Sequence, residues 1–134
     1  PNWINDKIIG FCFESLLVYV RSKQEFQHFD AYRGSNQTVA KKCVDKLQPF
    51  VQAPRSKMKF IEMECPQQEN SCDCGMYVIA MAEHLIKEFC ECFSVGVTEA
   101  VTAPMVQHKR KQIQDLILEM SSADINNVDH HLST

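Results

Sequence analysis

Three things are missing from this sequence. It has no excess of positive charge: 14 lysines and arginines against 17 aspartates and glutamates give a formal net charge of -3. Nothing there favours a nucleic-acid partner, and a basic partner surface gains no support either. It has no apolar run approaching the ~18 residues of a membrane-spanning helix, and no secretory signal opens it. A soluble protein without a membrane partner is expected. Its seven cysteines are scattered, without the even framework of a small secreted domain stapled by disulfides. That usage points to a reducing compartment, cytoplasmic or nuclear.

What remains is an ordinary globular mixture. The 134 residues are 45% hydrophobic and 23% charged, enough for one domain that buries roughly two thirds of the surface its unfolded chain would expose. The chain opens on Pro1 rather than a methionine, so a fragment or a trimmed domain is expected. Neither repeats nor low-complexity tracts occur. The expected organisation is a single domain over residues 1–120 followed by a polar, loose tail over residues 121–134.

Along the chain, Ile4, Ile8, Phe11 and Cys12 fall at helical spacing, and the reading is a short helix from Asn5 to Glu14. Ser15 to Val20 is a β-branched and aromatic run that reads as a strand buried on both faces. A turn at Arg21 to Lys23 leads to a second strand, Glu25 to Asp30, hairpinned to the first. Gln37 to Phe50 carries Val39, Cys43, Val44 and Leu47 on one stripe, an amphipathic helix capped by Ser35 or Asn36. A third strand is expected over Lys59 to Glu64, then helices from about Cys74 to Phe93 and from Lys109 to Met120. One junction is anomalous. No Gly, Pro, Asn or Asp lies between Gly10 and Ser22, yet a helix cannot turn into a buried strand across Phe13 and Glu14 without a connection. Either one element is misread or a segment is missing there.

The stretch "QQENSCDCGMYVI", Gln67 to Ile79, carries the chemistry. Cys74 stands at the first turn of a helix, where free N–H groups can hold a thiolate and an oxyanion. Gly75 beside it has no side chain to obstruct an approaching substrate backbone. Gln68, six positions upstream, can swing a second amide donor to the same point. Judged by spacing alone, a buried helix-start cysteine and a solvated glutamine remain the plainer alternative. Zinc ligation by Cys72 and Cys74 with Cys65, Cys90 or Cys92 fits poorly, because zinc sites favour C-x₂₋₄-C pairs. No metal and no cofactor is expected. Asp30 ends a strand, where a carboxylate can orient an imidazole, or can simply be solvated. His28 is two residues from Asp30 and projects in parallel with it, His84 lies about three turns into the helix from Cys74, and His108, His130 and His131 fall in a loop or the tail.

Taken together, "WIND" at Trp3 to Asp6, "SLLVYV", "HFD" and the pattern Q-x-N-x-x-D-C-G from Gln68 to Gly75 resemble the Ulp/sentrin-specific cysteine protease family, within it the deneddylase-like branch. The similarity runs from Trp3 through the "TAPMVQHKRKQIQDLI" segment at 102–117. The resemblance implies an α+β, papain-like fold of the Ulp type with a small mixed sheet flanked by helices. It also implies cleavage after the C-terminal Gly-Gly of a ubiquitin-like modifier. By that resemblance Cys74 matches the nucleophile, Asp30 the acid that orients the general base, and Gln68 the oxyanion-hole glutamine. Trp3 matches the tryptophan over the diglycine tunnel and Asp6 an acid in modifier contact. The family's His-Trp pair before the first buried strand has no match: Phe13 and Glu14 hold those places, as if a segment between Glu14 and Ser15 had been deleted along with the general base.

Three functions follow from this resemblance. The first is a cysteine isopeptidase or processing protease for a ubiquitin-like protein, of the cullin-modifier type, whose own turnover is expected to be severely impaired. The second is a non-catalytic binder of the modifier tail. The third is an unstable deletion isoform.

Overall fold

The computed structural model describes residues 7–12, 14–51, 54, 57–91 and 95–131. Two compact units divide the chain, Pro1–Thr102 and Ala103–Thr134. The first holds a four-stranded sheet in the order β1-β2-β3-β4, with β1 at Lys7–Cys12, β2 at Ser15–Val20, β3 at Glu25–Phe29 and β4 at Lys59–Glu62. The first two pairings are antiparallel and the last is parallel, so the sheet is small and mixed, as the resemblance implied. The helices are α1 (Gln37–Leu47), α2 (Cys74–Glu91) and the short α3 (Val97–Ala100) in the first unit, and α4 (Ala103–His131) in the second.

The expected first helix is corrected: Lys7–Cys12 is a strand, paired residue for residue with β2 from Lys7↔Val20 to Cys12↔Ser15. A five-residue apolar run cannot distinguish a helix from a buried strand by periodicity. Ile8, Ile9 and Phe11 suit a pleated surface, Gly10 disfavours a helix, and β2 supplies hydrogen-bond partners that the local sequence does not reveal. The anomalous junction disappears with the correction, because two residues suffice to join antiparallel strands. The backbone therefore needs no missing connection at Glu14, and the reading of a deletion rests on the family pattern alone.

β2 is buried at every position from Ser15 to Val20, as its unbroken apolar run requires. Alternation of side chains sends Leu17 and Tyr19 to one face, where they join Phe26 and Val51 in a core against Cys43, Val44 and Leu47 of α1, together with Met58 and Phe60. Tyr19 and Phe26 are cross-strand partners with ring centroids 4.8 Å apart, a pairing that adds to area burial. On the opposite face β2 meets α2, whose Tyr77, Val78, Ala80, Met81 and Ala82 are buried.

Helix α1 begins where expected but is capped differently. Asn36 makes no side-chain cap; its Nδ2 donates to Asp30 Oδ1 at 3.0 Å instead. Proline at position 49 then confines Gln48–Phe50 to a single 3-10 turn, since its ring cannot continue the helix. The third expected strand is present as β4, two residues shorter than read. The last helix is much longer than read. Pro104 lies within its first turn, where its missing N–H costs nothing, and no later Gly or Pro stops it. Ser121 and Ser122, expected in a loose tail, lie in α4 with their hydroxyls donating to Leu118 O at 2.9 and 2.8 Å.

Candidate active site

Two loops at the end of β3 and after β4 are zipped together. Asp30 is buried, and its carboxylate closes the turn that follows it: Oδ1 accepts the Tyr32 N–H at 3.0 Å, and Oδ2 accepts the Asn36 N–H at 3.1 Å. Gly34 sits inside that turn at φ +89, with Ser35 N–H donating to Tyr32 O at 3.1 Å. A side chain there would be strained. Across from it, Gln67 Nε2 donates to Asp30 O, and Arg33 N–H donates to Gln67 Oε1, both at 2.9 Å. Gln68 N–H then donates to Ala31 O at 2.9 Å. The result places Gln68 one hydrogen bond from the residue after Asp30, so the structure brings these two expected site residues together.

The side chain of Gln68 is not consumed by this zipper. Its Oε1 is buried without a hydrogen-bond partner among the described residues. Buried polar atoms are nearly always satisfied, so this carbonyl oxygen is an exception among the described residues.

Cys74 follows through a loop that is itself tied down. Asn70 Oδ1 accepts the Cys72 N–H at 2.9 Å, and Asn70 Nδ2 donates to Asp73 Oδ2 at 2.7 Å. Asp73 is buried, and its carbonyl accepts the Tyr77 N–H at 3.0 Å, the first turn of α2. That puts the half-buried Cys74 thiol at the helix start, as the sequence predicts. A Cβ added at Gly75 would meet open space, so the side-chain-free position is not demanded by packing within this chain. Burial, and after it the charges of Glu69 and Asp73, push the Tyr77 phenol above its ordinary value, which keeps it neutral.

Among the described residues no hydrogen bond joins Cys74 to an imidazole. His28 points elsewhere: Nδ1 lies 3.0 and 2.9 Å from the two carboxylate oxygens of Glu62, and Nε2 lies 2.9 Å from Ser15 Oγ. With Glu62 accepting from Nδ1–H, a neutral ring leaves Nε2 to accept the Ser15 hydroxyl proton; this tautomer is assigned from the bonding. Serine, histidine and carboxylate stand in the order of a hydrolytic triad, yet Ser15 is 1% exposed and His28 is 0% exposed. No substrate reaches them. The network instead stitches β2, β3 and β4, with Glu62 the register partner of His28. Its signal in the sequence was only that two polar residues face each other once the register is known. His84 lies in the buried face of α2, with Nε2 2.7 Å from Val95 O.

Trp3, Asp6 and Phe13 lie outside the described residues, as does Cys92. A cavity of about 280 Å³ abuts Asp30, lined also by Arg33, Gly34, Gln37, Glu62, Met63 and Glu64, and neither Cys74 nor Gln68 borders it. Among the described residues no group of three or more His, Cys, Asp and Glu could hold a metal ion. No described helix is long and apolar enough to cross a membrane.

Cys65, on the same loop as Gln68, is of a different kind from Cys74. Burial pushes its thiol from 9.0 up to about 11, against a backbone hydrogen bond at Asp30 that pulls the other way. The thiolate is the reactive form, so iodoacetamide at pH 8 is expected to modify Cys72 and Cys74 and to spare Cys65, with peptide mapping as the readout. The sign of the linkage follows. The unfolded thiol ionises at the lower value, so the stability Cys65 confers is complete below pH 9 and declines as pH rises through about 11. Urea midpoints across that window, compared with Cys65→Ala, check it.

The family described as the Ulp1 protease family, C-terminal catalytic domain, matches residues 4–125. The chain belongs to that family. Sentrin-specific protease 8 of Homo sapiens is 36% identical over 107 residues, which are 80% of this chain and 50% of that protein. NEDD8-specific protease 1 of Arabidopsis thaliana is 34% identical over 127 residues, covering 84% of this chain and 52% of the other. Among solved structures, the SUMO protease Ulp1 with its catalytic cysteine oxidised to a sulfonic acid has a TM-score of 0.62 at 20% identity, covering 87% of this chain and 54% of that one. The catalytic domain of the Chaetomium thermophilum Ulp1-like SUMO protease gives 0.56 at 26%, covering 78% and 43%. The Ulp-type α+β fold is thereby established, and the relatives named are a sentrin-specific and a NEDD8-specific protease. The chain spans about half the length of the relatives it matches.

Proposed function

We propose that this chain is a thiol-protease domain directed at the diglycine tail of a NEDD8-type ubiquitin-like modifier, with tail capture outlasting turnover. Three members of the catalytic set are supported by position: Cys74 as nucleophile, Gln68 as oxyanion donor and Asp30 as the acid that would orient a base. The observation that carries the reading is the placing of a helix-start thiol beside the open face of Gly75, with the half-buried Gln68 on the loop that leads into it. Such a thiol can attack a carbonyl whose developing oxyanion the amide and the first N–H groups of α2 receive. Trp3 and Asp6 are assigned to the modifier surface by resemblance, and the cullin modifier is the preferred partner by the branch to which the relatives belong.

Turnover is a separate matter. The general base would occupy the place of Phe13, and no described imidazole reaches Cys74. A second reading, a non-catalytic holder of the modifier tail, draws support from the same loop, since among the described residues no hydrogen bond joins Cys74 to an imidazole.

Labelling with a modifier that carries a C-terminal electrophile tests the site without requiring turnover. Wild-type chain is expected to form an adduct that Cys74→Ala does not, seen as a band shift. A folded wild-type sample that forms no adduct would refute the assignment of Cys74.

A further inference from the structure

We propose that α4 is a self-association surface: two copies of this chain cross antiparallel at Leu116 and Ile117 and form a weak two-fold dimer. Such a dimer owes nothing to Cys74 or to any turnover.

One stripe on this helix carries the contact. Ile113, Leu116, Ile117 and Met120 follow one another at spacings of three, one and three, which on a helix gathers them on one side. Val106, two turns earlier on the same side, is buried, and Ile113 is half-buried. From there the stripe opens: Leu116, Ile117 and Met120 are each more than half exposed. Apolar side chains exposed next to one another differ from the single ones that dot an ordinary surface, and such clusters mark contacts. Gln112 and Gln114 stand beside the stripe without charge. Ser121 and Ser122 end it, with their hydroxyls turned back on Leu118 O.

Its order fits a second copy of the chain. The four positions read the same in both directions about the midpoint between 116 and 117, and a two-fold interface sets a patch against its own reverse. Ile113 then meets Met120 of the second copy, and Leu116 meets its Ile117. Ile113 with Ile117, and Leu116 with Met120, are adjacent i, i+4 ridges; the groove between them takes the like ridge of another helix at a crossing of about 50°. A crossing of that size confines the contact to these residues and lets the helix ends diverge.

Charge selects the direction. Lys109, Arg110 and Lys111 form a basic turn on one side of the stripe. A parallel pair would set the two basic turns beside each other, about 8–10 Å apart. In the antiparallel pair they are separated by about 20 Å of helical rise, beyond the ~10 Å over which charges stay coupled in salt. The contact is small and belongs at the low end of interface sizes, so the dimer is concentration-dependent rather than obligate.

Sedimentation of the full 134-residue chain, kept reduced so that no intermolecular disulfide contributes, is followed from about 1 µM to about 1 mM, the span in which weak interfaces form. The mass is expected to double across that range. Ile117→Glu should stay monomeric throughout, while Leu118→Glu, at an exposed position off the stripe, should dimerise like wild type. Direction is read from a charge pair: Ile113→Lys and Met120→Glu should each weaken the dimer, and the two together should recover it, because an antiparallel pair sets opposite charges face to face and a parallel pair sets like charges. Circular dichroism and a thermal melt of each variant show that the fold is intact, so that a lost dimer is a lost contact. A folded chain that stays monomeric at every concentration would overturn the proposal and leave the stripe to a different partner. So would a dimer indifferent to Ile117→Glu, one lost equally in Leu118→Glu, assembly beyond two copies, or a double variant no tighter than the single ones.

Discussion

A diglycine-fluorophore substrate is expected to be hydrolysed no faster by this chain than by its Cys74→Ala variant. The nucleophile needs a base to take its proton and an acid to protonate the leaving amine, and one imidazole ordinarily serves both ends. Where such a member is removed from an analogous triad, the loss reaches about 10⁶-fold. Neither His28 nor His84 is placed to replace it. His28 has both ring nitrogens engaged, by Glu62 and by Ser15, and no exposed surface. His84 is ten residues along α2 from Cys74, about 15 Å by helical rise. Asp30 has correspondingly been given other work, holding the Tyr32 and Asn36 N–H groups. Hydrolysis that disappears in Cys74→Ala would refute this expectation. If it also disappeared in a folded His28→Ala variant, the His28 ring would be identified as the base.

The second large effect is on stability. His28→Ala is expected to lower unfolding free energy by about 3 kcal/mol, combining the void left by a buried ring with an orphaned Ser15 hydroxyl. For a domain of this length that is a fall in melting temperature of roughly 10 °C. The ring's neighbours explain the size: it packs 5.7 Å from the Phe60 ring, centroid to centroid, while joining three strands by hydrogen bonds. β4 is held to β3 by a parallel ladder of four pairs, so loosening this buried polar anchor loosens the strand that leads into the Gln68 loop. Glu62→Ala should cost less, because Glu62 is 41% exposed and water replaces part of what it loses. Thermal melts of the two variants beside wild type decide it; a shift for His28→Ala no larger than that of Glu62→Ala would show that the ring is not the anchor.

What the sequence determined by itself is local. The unbroken run Ser15 to Val20 is a strand buried on both faces because no position in it could face water. The start of α2 at Cys74 follows from the change of a polar loop into an apolar helical period, and with it the placing of the thiol. The motif around Cys74 carried the family. Tertiary structure decided whatever depended on a partner distant in sequence. Lys7–Cys12 became a strand because β2 offers it a ladder, which no local period records. Asn36 gave up its cap to Asp30, six residues back, and Asp30 became the clasp of a turn. The union of the Asp30 and Gln68 loops depends on Gln67, 37 positions from Asp30, and His28 found Glu62 only through the β3–β4 register. Spacing along a chain fixes which face a side chain takes within its own element; which group stands opposite is decided by how the elements pair.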